Sequence, residues 1–199
     1  MTPGLPCTGH VALTFDDGPV PSGTAALLDA LRSCDARATL FNIGRNARDE
    51  PGLVLAQRAA GMWLGNHSWS HPRLTTLPEA EAEDELRRTG RVLRRIAGAA
   101  PRLFRPPYGD TNPSVHALAG RLGLTEVLWD VDARDWAGAT SDEIVAAAES
   151  LTAGQVMLMH DGYPSTVAAV PRIVARLRER GLCPGMISPA TGRAVAPRG

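Results

Sequence analysis

The sequence predicts an α/β fold. We expect a barrel of about seven parallel strands, closed or nearly closed, with helices outside it; a doubly wound open sheet is the alternative. Three observations predict it. Strand-like and helix-like segments alternate along almost the whole chain, and repeated βα units of this length give a parallel sheet covered by helices. The strand-like runs number seven, which suits closure. The 199 residues show no low-complexity linker and no internal repeat, so they suit one domain, 1–199, with a full hydrophobic core.

The first strand is expected near 10–16. Val11, Leu13 and Phe15 alternate with smaller residues, as a buried strand does, and Gly18-Pro19 stops it. A helix near 22–33, a strand near 38–43 and a helix near 49–60 follow. Met62, Trp63 and Leu64 open a core strand near 62–66. The helix near 78–98 holds its acids in the first half and Arg87, Arg88, Arg91, Arg94 and Arg95 in the second. That order matches the helix macrodipole and allows acid-to-base pairs one turn apart. Leu86, Leu93 and Ala97 share one face for packing, so the arginines read as a solvated surface rather than a nucleic-acid patch. Leu103 and Phe104 carry a strand near 102–106, followed by a helix near 113–122 and a strand near 126–131. After a helix near 141–151, the very apolar "QVMLMH" marks the strand near 155–160. A helix near 166–180 and a strand near 184–188 complete the pattern.

Hydrophobic residues make up 44% of the chain, charged residues 21%, and the formal net charge is zero. This balance is that of a soluble globular protein and offers no attraction to nucleic acid or an anionic membrane. No apolar run reaches bilayer-spanning length. The opening "MTPGLPCTGH" has neither a basic start nor an apolar stretch, so no signal peptide is read there. The chain is then either cytoplasmic or begins at a mature N-terminus. There are three cysteines and no Cys-x-x-Cys, which argues against a thiolate zinc site. A Cys7–Cys183 disulfide would fit a secreted protein, with three reduced buried thiols as the alternative. The expectation is the disulfide, with Cys34 reduced.

The chemistry sits at the strand ends. The run "VALTFDDGP" finishes in two adjacent carboxylates, Asp16 and Asp17. Two like charges this close raise each other's pKa unless a cation lies between them; a turn-forming Asp-Asp-Gly-Pro is the bland reading. His67 and His71 follow the next core strand at i and i+4, a spacing that lets two imidazoles share a metal. In "RLFRPPYGD", Arg105 emerges at a strand end and Pro106-Pro107 stiffens the chain before Tyr108. "EVLWDVDARDWAG" sets Asp132, Asp135 and Trp136 after a strand, and "QVMLMHDG" ends in His160. Each has a plain structural reading alone. All five clusters, however, fall at the C-terminal ends of predicted parallel strands, the face on which α/β active sites form.

In order, "TFDDGP", "HSWSH", "RPPYG", "DARDW" and "LMH" resemble the five motifs of the polysaccharide deacetylases of carbohydrate esterase family four. The match runs from Thr14 to His160, and the flanking text, including the tail "GLCPGMISPATGRAVAP", is most similar to the secreted actinobacterial acetylxylan esterases of that family. The resemblance implies a distorted (β/α) barrel and one divalent metal ion, zinc first, with cobalt or nickel as alternatives. It implies Asp17, His67 and His71 as metal ligands, Asp16 as catalytic base and His160 as catalytic acid. Arg105 would pair with Asp16 and Asp135 with His160. The Tyr108 N–H would help bind the oxyanion, and Trp136 and Leu158 would line the pocket for the acetyl methyl group.

These roles are physically coherent. One carboxylate and two neutral imidazoles leave a divalent ion with open positions. No Gly-x-Ser-x-Gly nucleophile elbow is present, which argues against a serine esterase. The expected activity is O-deacetylation of acetylated xylan by a secreted monomer, with N-deacetylation of chitooligosaccharides beside it. Chitin or peptidoglycan N-deacetylation as the main activity is the first alternative. A vestigial carbohydrate-binding module is the second, and the complete residue set disfavours it. Trp69, between the two histidines, is the expected sugar-stacking platform, since its ring face is apolar; packing under the metal loop is the alternative.

Overall fold

The structure, a computed structural model, describes residues 6–197. The first five residues of the N-terminal stretch read above lie outside the described residues. The chain opens on β1 (Gly9–Gly18), α1 (Thr24–Ser33), β2 (Thr39–Asn42), α2 (Gly44–Asp49), α3 (Pro51–Ala59) and β3 (Trp63–Asn66). It continues through α4 (Glu79–Ala97), β4 (Leu103–Phe104), α5 (Pro113–Arg121), β5 (Thr125–Glu126) and β6 (Val131–Asp132). It ends with α6 (Ser141–Ala148), β7 (Val156–His160), α7 (Pro164–Glu179), β8 (Leu182–Pro184), β9 (Met186–Ile187) and β10 (Ala194–Val195).

The parallel sheet runs β5-β4-β3-β2-β1-β7-β6, and β8 pairs with the start of β1. Laid flat, seven strands would hold the two edges roughly 29 Å apart, at about 4.8 Å per step. Yet the edges β5 and β6 are joined by residues 127–130 alone. An extended chain of that length reaches roughly 18 Å at best. The sheet must therefore curl, and the result is a distorted (β/α) barrel whose seam is closed by the chain itself.

This seam corrects the single strand expected near 126–131. The Val127 N–H donates to Phe104 O on one edge, and the Asp130 N–H donates to Val156 O on the other. Between them the Arg105 guanidinium takes the carbonyls that a continuous strand would have laddered: Nε donates to Val127 O at 3.1 Å and Nη2 to Leu128 O at 3.0 Å. The helix expected near 49–60 is α3, and a short helix that was not expected, α2, precedes it; Pro51 disfavours the helical conformation at Glu50 and so separates the two. One other expected element also divides. The strand near 184–188 breaks at Gly185, where a Cβ would stand 2.3 Å from Val195 O, and β9 turns instead into an antiparallel pair with β10.

Strand β1 is buried on both faces, as the central strand of a parallel sheet should be. Val11, Leu13 and Phe15 point outward and pack under α1, α6 and α7 against Leu27, Leu31, Ile144 and Ile173. Ala12 points inward to a second cluster with Phe41, Leu103, Val127 and Val156, which fills the barrel. The expected packing face of α4 is buried through Ala82, Leu86, Thr89, Leu93 and Ala97. Its arginines meet acids on the surface, as Arg87 with Glu83 at 2.5 Å, and Gly98 caps it in the left-handed conformation.

Cys7 and Cys183 form a disulfide with Cα atoms 5.7 Å apart, tying the segment before β1 to β8, and Cys34 is free. Among the described residues no helix is long and apolar enough to cross a membrane.

Candidate active site

Strand alternation alone would send Asp17 to the helix side of the sheet. Its backbone instead takes the left-handed conformation, φ 68°, which is sparsely populated for a non-glycine residue. The Asp17 carboxylate thereby turns toward the barrel mouth, while Asp16 stays on the inward face, only 3% exposed.

His67 is buried at the end of β3. Its Nδ1 lies 2.8 Å from Arg105 O; a carbonyl can only accept, so Nδ1 carries the proton and Nε2 presents a lone pair. That Nε2 stands 3.4 Å from Asp17 Oδ1, and His71 Nε2 stands 3.2 Å from the same oxygen. Burial, and then the closeness of a second imidazole at His67, lower the pKa of His71, favouring its neutral imidazole. Burial alone would raise the Asp17 carboxyl, but His67, His71 and His160 hold it below its ordinary value.

Asp17 Oδ1 is buried without a hydrogen-bond partner. An acceptor oxygen thus faces two imidazole nitrogens, all three ligand atoms lying within 4.8 Å of one another. A divalent ion bound tetrahedrally at about 2.0–2.1 Å would set its ligand atoms roughly 3.3 Å apart. The donor set and its spacing fit such an ion.

Two further pairs flank this triad. Arg105, fully buried, donates from Nη1 to Asp16 Oδ1 at 2.8 Å and to Thr14 Oγ1 at 2.7 Å. Its guanidinium also lies 4.3 Å from the Phe41 ring centroid. Across the pocket, His160 Nδ1 bonds Asp135 Oδ1 at 2.7 Å. The second oxygen of Asp135 accepts from the His160 N–H at 2.8 Å and from the Thr166 hydroxyl at 2.6 Å. Burial works against charge on His160, but Asp135, with Asp16 and Asp17 behind it, outweighs burial and raises its pKa. Burial would raise Asp135 in turn, yet His160 and Thr166 hold it below its ordinary value. With Nδ1 committed to Asp135, Nε2 is the His160 nitrogen left for chemistry in the pocket.

Residues 6–127 match the family model described as "Polysaccharide deacetylase". The chain belongs to the polysaccharide deacetylase family. It is 45% identical over 196 residues to a bifunctional xylanase/xylan deacetylase of Cellvibrio japonicus, covering 98% of this chain. The chain spans only 29% of that relative's length. It is 36% identical over 190 residues to a chitooligosaccharide deacetylase of Bradyrhizobium, covering 87% of each. The structure is similar to that of a family 4 carbohydrate esterase from Streptomyces lividans in complex with acetate. The TM-score is 0.94 and the identity 53%, covering 96% of this chain and 100% of that one.

In this deacetylase-family barrel, Asp16, Asp17, His67, His71 and His160 converge on one pocket of about 400 Å³, which Tyr108, Trp136 and Leu158 also line. Arg105 and Asp135 stand behind it as the partners of Asp16 and His160. Trp69, expected as a stacking platform, is not among the residues that line the pocket. Its ring packs on Gly44, where a Cβ would lie 2.6 Å from it. Arg88 and Arg48 cover it with guanidinium carbons 4.2 and 5.3 Å from the centroid. A ring capped by cations in this way is not a free sugar platform. The exposed pocket aromatics are Trp136 and Tyr108, 54% and 59% exposed. Sequence reasoning missed Trp129 and Arg73, which also line the pocket. Trp129 sat inside a presumed strand and reaches the pocket because that strand is broken. Arg73 stands two residues after His71 and lies 4.7 Å over the Tyr108 ring.

Proposed function

We propose that this chain is a metal-dependent deacetylase that hydrolyses acetyl esters of acetylated xylan and also N-deacetylates chitooligosaccharides. The observation that carries the proposal is the buried, unpartnered Asp17 Oδ1 facing two imidazole lone pairs, flanked by the Arg105–Asp16 and Asp135–His160 pairs. Asp17, His67 and His71 would hold the ion, zinc in the first instance, with cobalt or nickel able to replace it. When bound, it supplies Lewis-acid chemistry, polarising an acetyl carbonyl and making water more acidic.

The protein's own groups complete the reaction. Asp16, oriented by Arg105, accepts a proton from the attacking water. The water oxygen adds to the acetyl carbon, and the Tyr108 N–H donates to the oxyanion that develops. His160, protonated and held by Asp135, donates from Nε2 to the sugar oxygen or nitrogen as its bond to the acetyl carbon breaks. Acetate and the free sugar hydroxyl or amine leave, and no covalent acyl-enzyme forms. Leu158 and Trp136 supply the apolar wall for the acetyl methyl group.

The xylan and chitooligosaccharide relatives support both substrates, because ester and amide present the same carbonyl to one site. We read the whole chain as one catalytic domain acting as a secreted monomer. The test is acetate release from acetylated xylo-oligosaccharides and from N-acetylated chitooligosaccharides, before and after chelation and with zinc restored. Loss on chelation and recovery with zinc on the xylan substrate is expected. Undiminished release after complete metal removal would refute metal dependence, and release from peptidoglycan fragments alone would refute the substrate.

A further inference from the structure

Between the two candidate ligand histidines, Ser68–Ser70 run outside any helix or strand. Ser68 and His71 both take left-handed backbone, φ 61° and 64°, which a non-glycine residue does not adopt on its own preference. Backbone donors in such a segment need partners from elsewhere. The Ser68 N–H donates to Asn66 Oδ1 at 2.9 Å, and the His71 N–H to Ser68 Oγ at 3.1 Å. The two donors between them go to one atom. The Trp69 and Ser70 N–H groups both donate to Glu85 Oε2 at 2.8 Å, and the Ser70 hydroxyl donates to Glu85 Oε1 at 2.9 Å.

Glu85 lies on α4. By sequence it belongs with the acids that favour the start of that helix, yet it behaves differently from its neighbours. Glu83 and Asp84 pair with Arg87 and Arg88 on the surface. Glu85 has no basic partner among the described ion pairs and spends both oxygens on the turn. Arg88, one turn further along α4, closes over the Trp69 ring of the same turn.

We propose that Glu85 is a positioning residue for the metal centre. Its carboxylate fixes the turn from Ser68 to His71, so that the Nε2 atoms of His67 and His71 converge on Asp17 before an ion binds. The proposal rests on the reading of Asp17, His67 and His71 as metal ligands. Partners that orient ligands typically change metal affinity about 10–100-fold when removed. A purely structural Glu85 would lower the melting temperature and leave the zinc affinity alone.

The test uses metal-stripped protein titrated with zinc against a competing chelator, together with amide hydrogen exchange at Trp69 and Ser70. Glu85→Ala should lose roughly 10–100-fold in zinc affinity, exchange both amides faster, and recover most of its rate at saturating zinc. Glu85→Asp, which keeps the charge but withdraws the carboxylate by one methylene, should show the same direction and decides the matter if the alanine variant does not fold. Glu83→Ala on the same helix should bind zinc as the wild type does. Wild-type zinc affinity in a folded Glu85 variant would overturn the Glu85 assignment alone. A wild-type protein that binds no zinc would overturn the metal reading and the proposal with it.

Discussion

Asp135 and His160 show how one contact sets a residue's chemistry. Burial lowers the proton affinity of His160, and the Asp135 carboxylate at 2.7 Å, helped by Asp16 and Asp17, reverses that. A general acid works only while protonated, so the rate should fall as pH rises through the His160 pKa. Asp135→Asn removes the nearest of the carboxylates that oppose burial and leaves only Asp16 and Asp17 against it. The basic limb of the rate profile should therefore move to lower pH, and an unmoved limb would show that another group is the acid. The same pair bears on stability. Because His160 is raised in the folded state, its contribution is full below the ordinary histidine value of about 6.5 and is lost as pH rises through the folded pKa.

At the scale of elements, the strand ends and the loops that follow them divide the work. The β3–α4 loop carries two left-handed residues and two candidate ligands, and its tryptophan packs on Gly44 rather than lining the pocket. The short turn Asp135–Ala137 instead projects Trp136 over the pocket. The two tryptophans should therefore part in kinetics. Trp136→Ala should raise KM for an acetylated oligosaccharide roughly 2–10-fold, from about 0.5–1.5 kcal/mol of lost aromatic contact. Trp69→Ala should leave KM near the wild-type value and weaken zinc retention, since it loosens the ligand loop. The reverse pattern would mean that the sugar rests on Trp69. Sequence showed that a loop with two histidines follows a core strand, because apolar runs and the i, i+4 spacing are local signals. It did not show where Trp69 points, because Gly44 on α2 and Arg88 on α4 decide that from outside the loop. The split of residues 125–132 was hidden for a similar reason: the carbonyls there are taken by the Arg105 side chain, which comes from just beyond the end of β4.

Across the whole molecule, the order of β and α segments was legible because a parallel sheet needs both faces covered, and both coverings leave apolar patterns. Closure of the barrel was legible only as a strand count. The deciding fact, that one short stretch lies on both edges, is a matter of pairing and not of pattern. The Cys7–Cys183 bond spans 176 residues, and the chain-entropy model assigns a loop of that size about 5 kcal/mol as an upper estimate. Protein unfolded without reductant should label at one thiol, Cys34; three labelled thiols would refute the bond. The central claim is a division of labour at the barrel mouth, with Asp17 on the ion and Asp16 on the proton. It is tested most directly by measuring zinc content and acetate release side by side in Asp16→Asn and Asp17→Asn. Asp16→Asn should retain zinc and lose about 10²–10⁴-fold in rate, while Asp17→Asn should lose zinc and activity together. Equal zinc loss in both, or a wild-type rate in zinc-loaded Asp16→Asn, would contradict the account.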